Sequence, residues 1–401
     1  MEHQEGERIA VSTSQGVVRT ATLPALLGRV VVEFAAAQKS GGLGHGAIAV
    51  GWGRRSSSQK TRRFATDSGL PFVSIEDGFL RSFGTGPCQP PLSIIVDHRG
   101  IFFDSENPSD LEEMLSSGTL PQADGVADCC AALGLIGQYR LSKLNMGPQA
   151  SNWHRHGVLV VDQTLGDFSV VLGGADAAAF TSMLAAARAE NPGAILYIKT
   201  HPEVSSGRKR GYLTHIQDDE RTVVLRDPVN PLSLIEQMDR VYVVTSTMGF
   251  EALLAGKPVT CFGVPWYAGW GVTDDRVKDS PAWARRTRKR TVEELFAAAY
   301  IHYTRYLNPE THQRGSIFDV IHWLVRQKQM ADRLHGQNRK ARVIGVGFRR
   351  WKSFNLKPLL GLHPSQVLSV KQRVILSDTS KLKPWAEQVL DSDDPAQLMP
   401  R

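Results

Sequence analysis

The stretch RVYVVTSTMGFEALLAGKPVTCFG, residues 240–263, decides the fold. An apolar, β-branched run (RVYVV) meets a hydroxyl-rich turn (TST), then strong helix formers, then Gly256 and a second apolar run. The order is strand, helix, strand, and a helical crossover of this length joins strands that lie parallel. The same alternation extends toward the N-terminus. AILYIKTHP (194–202) reads as a strand ending at His201–Pro202, and DAAAFTSMLAAARAEN (176–191) as a helix that stops before Pro192. GVLVVDQT (157–164) reads as a buried strand running into the loop LGDFS. Further upstream, GAIAVGWG (46–53) is a strand, SSSQKTRRFATDSG (56–69) a helix with a Ser cap and a terminal Gly, and LPFVSI (70–75) a strand running into EDG. PLSIIVDHRGIFFD (91–104) has the pattern of a hairpin turning at HRG, and PSDLEEML (108–115) that of a capped helix with Pro at its start. Downstream, the basic run ARRTRKRT (284–291) precedes VEELFAAAYIHYTRYL, which reads as a helix.

The whole is an α/β chain. The polar, Gly- and Pro-containing stretch around 140–155 marks a junction. It separates an N-terminal domain (10–145) from a second (150–330), with a tail at 340–401.

Composition narrows the function. Of 401 residues, 42% are hydrophobic and 22% charged, which excludes a disordered chain and allows two sizeable cores. The net charge of +7 suits an anionic partner or serves solubility alone. The basic residues are not interleaved with aromatics as in a nucleic-acid-binding module, so no nucleic-acid partner is expected. Cys88, Cys129, Cys130 and Cys261 lack ligand spacing, which argues against a structural zinc site and fits a reducing cytoplasm. The opening MEHQEGERIA is too polar for a signal peptide, and no apolar run reaches the roughly 18 residues of a spanning helix. Membrane contact is therefore expected to be peripheral.

The chemistry-bearing residues fall at strand C-termini, where open α/β sheets bind ligands. Ser246 and Thr247 open a helix, which suits either phosphate binding or ordinary capping. His201 could donate to a leaving phosphate with Lys199 adding charge, or simply precede a turn. Asp167 could serve as base or nucleophile, or form a Gly-Asp turn. Glu76 and Asp77 are adjacent on a strand end and so point to opposite sides. One is expected to do chemistry while Arg81 holds the other as an ion pair.

Longer strings carry a resemblance. GWGRRSS, EDGFLRS, PPLSIIVDHRGIFFD, DQTLGDFSV, KTHPEVSSGRKRGY, VTSTMGFEALLAGKPVTCFGVPWYAGWGVTDD and RYLNPET occur in that order. Across roughly residues 45–330 the chain resembles the KpsC-type capsule polysaccharide biosynthesis proteins, retaining β-Kdo transferases. The resemblance implies a GT-B-like pair of Rossmann-type domains facing a cleft. It implies CMP-Kdo as donor, held mainly by the C-terminal domain, with neither metal nor further cofactor. The implied acceptor is an anionic, phosphatidylglycerol-type lipid, with or without Kdo already attached, used in building the capsule linker. It assigns Asp167 as nucleophile and His201, Ser246 and Thr247 to the CMP phosphate. Lys199 and Glu251 lie in the same donor-binding motifs. Glu76 and Asp77 match the acidic motif near the acceptor, and analogy with bacterial sialyltransferases favours Asp77 as general base.

The implied location is cytoplasmic, peripheral at the inner face of the inner membrane, alongside other capsule biosynthesis proteins. The basic run containing Arg285, Arg286 and Arg288 is expected to face anionic lipid. The family usually carries two modules in tandem. Here GVGFRRWKSFNLKPLL (345–360) resembles the opening of a second, and no second EDG or His-Pro motif follows. One complete module and the start of another are expected. A catalytically degenerate scaffold module and a transferase for another CMP-sugar are the alternative readings.

Overall fold

The computed structural model describes residues 8–34, 46–84, 89–117, 125–150 and 157–337, with three short strands beyond. The main compact unit, ending at Ile321, contains two sheets. The first is built from β1 (Ile9–Ser12), β2 (Val30–Glu33), β3 (Ile48–Trp52), β4 (Phe72–Asp77) and β5 (Ser93–Asp97). The second is built from β6 (Gly157–Val161), β7 (Ile195–Lys199), β8 (Thr222–Leu225), β9 (Arg240–Val243), β10 (Val259–Cys261) and β11 (Asp274–Asp275). The chain then returns to the first sheet with β12 (Thr304–Asn308) and β13 (Gln313–Gly315). These two strands fall inside the range 150–330 read as the second domain, yet they complete the first sheet.

The second sheet runs β11-β10-β9-β6-β7-β8 and is parallel throughout. Its strands explain themselves: Val158, Leu159, Val160 and Val161 are all buried, as expected where helices cover both faces. The helix Ala177–Glu190 is capped by Asp176, which accepts from the amides of Ala178 and Ala179. Phe180, Met183, Leu184 and Ala187 recur at helical spacing and pack onto β6 and β7. The chain leaves β6 to one side for β7 and β8, then crosses to the other side for β9. The switch point therefore lies between β6 and β9, where a crevice forms beyond the strand ends. The first sheet, β13-β12-β5-β4-β3-β1-β2, is parallel from β4 to β2 and antiparallel from β5 onward. This is the expected α/β pair of Rossmann-type sheets.

Four local expectations are corrected. HRG does not turn a hairpin. Asp97 Oδ1 accepts from the amides of Arg99 (2.9 Å) and Gly100 (2.7 Å), and its Oδ2 accepts from Asp110 N (3.1 Å) and the Tyr303 hydroxyl (2.5 Å). This knot ends the ladder, and Ile101 and Phe102 go into the core instead of pairing. VEELFAAAYIHYTRYL is not one helix: α-helix Val292–Phe296 continues as a π-helix, Ala297–Tyr303, and then becomes β12. The β-branched and aromatic residues of TRYLN pair with β5. The N-cap of helix Ser56–Asp67 is Arg55, not a serine. Pro108 precedes the Ser109 cap of helix Asp110–Ser116 and does not start that helix.

The basic run is in part turned inward, with Arg286 buried and Arg288 and Lys289 exposed. Arg285 and Arg286 grip the two oxygens of Glu112 at 2.6 and 2.7 Å, and Arg286 donates to the carbonyls of Pro265 and Ala268. Arg288 donates to Ser116 O, and Arg290 to Leu115 O and Ser117 O, supplying donors to the carbonyls at the end of the helix that carries Glu112. The run straps the two halves together.

An aromatic cluster does the same. Phe79, just after β4, stacks on Tyr300 at 4.9 Å and meets Phe102 and Trp266, each at 5.3 Å. Phe250, on the helix Met248–Leu254 after β9, packs on Trp266 at 4.5 Å and Tyr300 at 5.8 Å.

The second compact unit, described by itself, holds most of helix Ile317–Gln337 and a three-stranded parallel sheet of 343–346, 367–370 and 388–391. Apart from Gly345 and Val346, the expected second-module opening at 345–360 lies outside the described residues. Among the described residues no helix is long and apolar enough to cross a membrane.

Glu112 is 5% exposed and Arg286 6%. Glu112→Ala leaves a buried guanidinium without its counter-charge, so a loss of about 3 kcal/mol or more in urea denaturation is expected. Arg288→Ala removes one exposed carbonyl contact and should cost about 1 kcal/mol or less. Equal losses would show that the strap is not what joins the halves.

Candidate active site

The acidic pair closes β4. Glu76 Oε1 accepts from Trp52 Nε1 and from the Asp77 amide, each at 3.0 Å. Its Oε2 lies against Gly53, where a Cβ would come within 2.7 Å and where φ is +56°. The GWG sequence thus has a local reason: Trp52 orients the carboxylate and Gly53 leaves it room. Gly78 has another, since a Cβ there would run into Ser93 on β5 at 2.1 Å. Asp77 points the other way and takes a 2.8 Å ion pair from Arg81 Nε, as the alternation of a strand requires. Burial, above all, raises the pKa of Glu76. The field of Lys143 opposes that rise, and the neighbouring Asp77 adds to it.

Lys143 was not singled out in the sequence. Residues 81–83 carry the segment 142–145 beside them: Arg81 N donates to Lys143 O, Asn145 N to Phe83 O, and Asn145 Nδ2 to Ser82 O. On its other side the segment is held by Glu251, whose Oε1 accepts from Ser142 Oγ at 2.5 Å and Lys143 N at 3.3 Å. Glu251 is 4% exposed, and burial raises its pKa against those hydrogen bonds and the Lys143 charge. Its place is this junction, and the structure does not bring it to the strand-end group. The Lys143 ammonium acts electrostatically on both Glu76 and Glu251. No local sequence pattern marks it, because its position is set by contacts with residues far along the chain.

The second sheet presents three strand ends side by side. Beyond β6, Gly166 takes φ +80° and Asp167 caps helix Phe168–Leu172. Asp167 Oδ1 accepts from Ser169 N and Ser169 Oγ, both at 2.9 Å, while its Oδ2 has no hydrogen bond among the described residues. A polar chain continues from Ser169 to Thr245 and Gln163. Gln163 Nε2 donates to Thr245 Oγ1 at 3.1 Å and to Ser169 Oγ at 3.2 Å, and Gln163 Oε1 accepts from Thr245 N at 3.0 Å. This chain spans the switch point and ties the β6 loop to the end of β9. Leu165 and Phe168 stand exposed on either side of Asp167.

Beyond β7, His201 caps helix Pro202–Ser205 by accepting the Glu203 amide at Nδ1, 3.1 Å. That bond leaves Nε2 as the donor of the neutral ring. Burial lowers the His201 pKa, against the fields of Glu203 and Asp167, so the ring is neutral at neutral pH while standing within electrostatic reach of Asp167. Lys199 is buried, donates to Thr200 O at 2.8 Å, and has its pKa lowered by burial to about 8, with Asp227 opposing. It sits behind His201, not at the surface of the group. Beyond β9, Ser246 and Thr247 are half-buried; Ser246 Oγ accepts the Met248 amide, and the Thr247 hydroxyl makes no capping bond. The structure therefore brings together Asp167, His201, Ser246 and Thr247, with Glu76 and Asp77 at the end of the other sheet.

Asp162, also not singled out, is 2% exposed. Its Oδ1 accepts from Gln163 N and Leu213 N. Its Oδ2 lies where any Cβ at Gly211 would stand, at 2.1 Å. It anchors the loop after His201 to β6, and burial raises its pKa to about 6. Among the described residues no three His, Cys, Asp or Glu side chains gather as a metal site.

Comparison with known proteins identifies the family and the fold. The family model for capsule polysaccharide biosynthesis proteins matches residues 47–136 and 131–306. The capsule polysaccharide modification protein LipA of Neisseria meningitidis serogroup A is 43% identical over 358 residues, covering 85% of this chain and 50% of LipA. The lipopolysaccharide-processing protein LpsZ of Rhizobium meliloti is 38% identical over 262 residues, 64% of this chain and 58% of LpsZ. The chain thus spans about half the length of the curated relatives it matches. Among solved structures, the β-Kdo 2,4 transferase of Thermosulfurimonas dismutans KpsC superposes with TM-score 0.74 and 42% identity, over 81% of this chain and all (100%) of that one. The 2,7 transferase of the same KpsC gives 0.59 and 26%, over 80% and 99%. The sheet order therefore has a family: this chain belongs to the capsule polysaccharide biosynthesis proteins, with a GT-B-like glycosyltransferase fold.

Proposed function

We propose that this chain is a retaining β-Kdo transferase that moves Kdo from CMP-Kdo to an anionic, phosphatidylglycerol-type lipid acceptor during capsule linker synthesis. It would work as a peripheral protein at the inner face of the inner membrane. The observation that carries the reading is the pairing of Asp167 and His201 at neighbouring strand ends beside the switch point, with Asp167 Oδ2 and His201 Nε2 making no hydrogen bond among the described residues. The solved Kdo transferase at 42% identity supports Kdo as the sugar transferred.

In this mechanism the CMP phosphate sits against Ser246, Thr247 and the amides that open helix Met248–Leu254, and His201 Nε2–H donates to it. Asp167 attacks the anomeric carbon, a C–O bond forms to the carboxylate, and the bond to the phosphate oxygen breaks as CMP leaves. The acceptor hydroxyl then displaces Asp167 and gives its proton to a base. Inversion twice over retains the configuration. The chemistry needs no metal, because protein donors meet the phosphate charge.

Glu76 suits the base better than Asp77. Arg81 occupies Asp77 at 2.8 Å, whereas Glu76 Oε2 has no hydrogen bond among the described residues and burial raises the Glu76 pKa. A raised pKa makes a stronger base, which is still ionised once the pH passes it.

Asp167→Asn is expected to abolish transfer from CMP-Kdo while CMP binding persists. Glu76→Gln should lower kcat by on the order of 10³-fold. Transfer from CMP-sialic acid instead of CMP-Kdo would replace the donor, and CMP binding without any transfer by the wild type would favour a scaffold module.

The pH profile separates the two carboxylates. The acidic limb of kcat should lie above the usual range for a glutamate, because burial raises the Glu76 pKa. Lys143 lowers that pKa, so Lys143→Met removes a stabilising positive charge and should move the limb to higher pH. A limb that stays in place in Lys143→Met but moves in Arg81→Met would make Asp77 the base.

A further inference from the structure

A second cationic feature lies at the other end of the first sheet. β1, β3 and β4 run their C-termini toward Glu76 and Asp77; their N-termini line a cavity of about 280 Å³. Its walls carry Arg8, Arg29 and Arg305, and its floor includes Leu27, Ile48 and Val73. Arg305 sits on β12, opposite Ile94, so the cavity exists only because the chain returns to complete this sheet.

Arg29, Arg305 and the neighbouring Arg314 are met by main-chain carbonyls. Arg29 Nη1 donates to Gly46 O at 2.8 Å and Arg305 Nη1 to Leu27 O at 3.4 Å, while the neighbouring Arg314 donates to Leu26 O at 3.0 Å. Among the described residues no carboxylate pairs with any of these three. Arg305 instead feels Arg314 and Arg29 as like charges, and with burial, the largest cause, its pKa falls to about 10. Three guanidinium groups held together, partly desolvated and with no carboxylate partner among the described residues, form an arrangement that an anion would stabilise. A single carboxylate has too few oxygens to satisfy several planar forks. A phosphate group presents three or more oxygens and a higher charge, which is the geometry that arginine clusters match.

We propose that this cavity binds a phosphate group, as a mono- or diester, between Arg29 and Arg305, at a site separate from the strand-end group around Asp167. The phosphate comes either from a soluble phosphorylated compound or from the headgroup of an anionic lipid, with the apolar floor taking the carbon skeleton next to it. The inference does not rest on the transferase reading, since it concerns the opposite edge of the sheet.

Inorganic pyrophosphate is the probe, titrated calorimetrically into the whole protein at constant ionic strength. The wild type should bind it with a dissociation constant at least about tenfold lower than Arg29→Gln or Arg305→Gln, the loss expected for one charge-assisted contact. Arg19→Gln, an exposed arginine elsewhere, should bind like the wild type. Arg29 is only half-buried, and its described bond is to a loop carbonyl, so that variant carries the test if Arg305→Gln fails to fold.

Flotation with phosphatidylglycerol or phosphatidylcholine vesicles identifies the source. Selective loss of phosphatidylglycerol binding in the double variant means a lipid headgroup. Unchanged flotation with lost pyrophosphate binding means a soluble phosphate. Absence of pyrophosphate binding in the wild type, weakening no greater than in Arg19→Gln, or weakening in His201→Ala alone would each overturn the site.

Discussion

The stacking of Phe79 on Tyr300, with Trp266 and Phe250 closing around them, is the contact on which the active arrangement depends. Phe79 follows the acidic pair by two residues, and Phe250 follows the Ser246–Thr247 turn by three. One aromatic cluster therefore fixes the distance between the end of β4 and the start of the helix after β9. Aromatic side chains are suited to this, because each buries a large rigid area at a small entropic cost. The π-helical turn Ala297–Tyr303 serves the same end by sending Tyr300 to Phe79 and Tyr303 to Asp97. The Glu112 clamp, farther out, resists separation of the halves by charge, where the cluster resists it by packing.

Charge placement follows from this rigidity. A lysine acting on one buried and one half-buried carboxylate would be a liability on a mobile linker, because a desolvated charge is costly when unpaired. Here the backbone of 142–145 is pinned by Arg81, Ser82, Phe83 and Glu251, so the Lys143 ammonium stays where it acts on both Glu76 and Glu251. The junction between the halves is thereby part of the electrostatics of the acidic pair. A change in the packing of the two sheets would alter the basicity of Glu76 without touching it.

What the sequence made legible was whatever is encoded locally. The strand–helix–strand order around TSTMGFEALLAG and the position of Asp167, His201 and the acidic pair at strand ends follow from apolar runs and their terminators. Gly53, Gly78 and Gly166 are readable afterwards as sites where a side chain or a positive φ decides the residue. Other features were hidden because their causes lie far away in the chain. TRYLN becomes a strand because β5 has a free edge more than 200 residues earlier, as the Tyr303–Asp97 bond records with a separation of 206. The basic run has a composition that suggests a surface, yet its partners are Glu112 and the end of a helix about 170 residues upstream. Glu251 shares a motif with the Ser246–Thr247 turn and is nevertheless held at the junction, where Ser142 Oγ and the Lys143 amide from far upstream donate to it.

The return of the chain to the first sheet links these points. With β12 and β13 in place, the second sheet is embraced by chain on both sides: segment 140–150 leads in, and the π-helix leads out. Both connections pass through the cluster around Phe79 and Tyr300 or the contacts beside it. An architecture with one linker could hinge freely there. Two connections, one buried aromatic bridge and one buried ion-pair clamp leave little freedom at this junction. The strand ends that carry Asp167, His201 and Glu76 are accordingly set in position by the fold before any ligand arrives. Preorganisation of this kind is what the proposed displacement at an anomeric carbon would require, because both attacking groups would have to be held in line with little room for error.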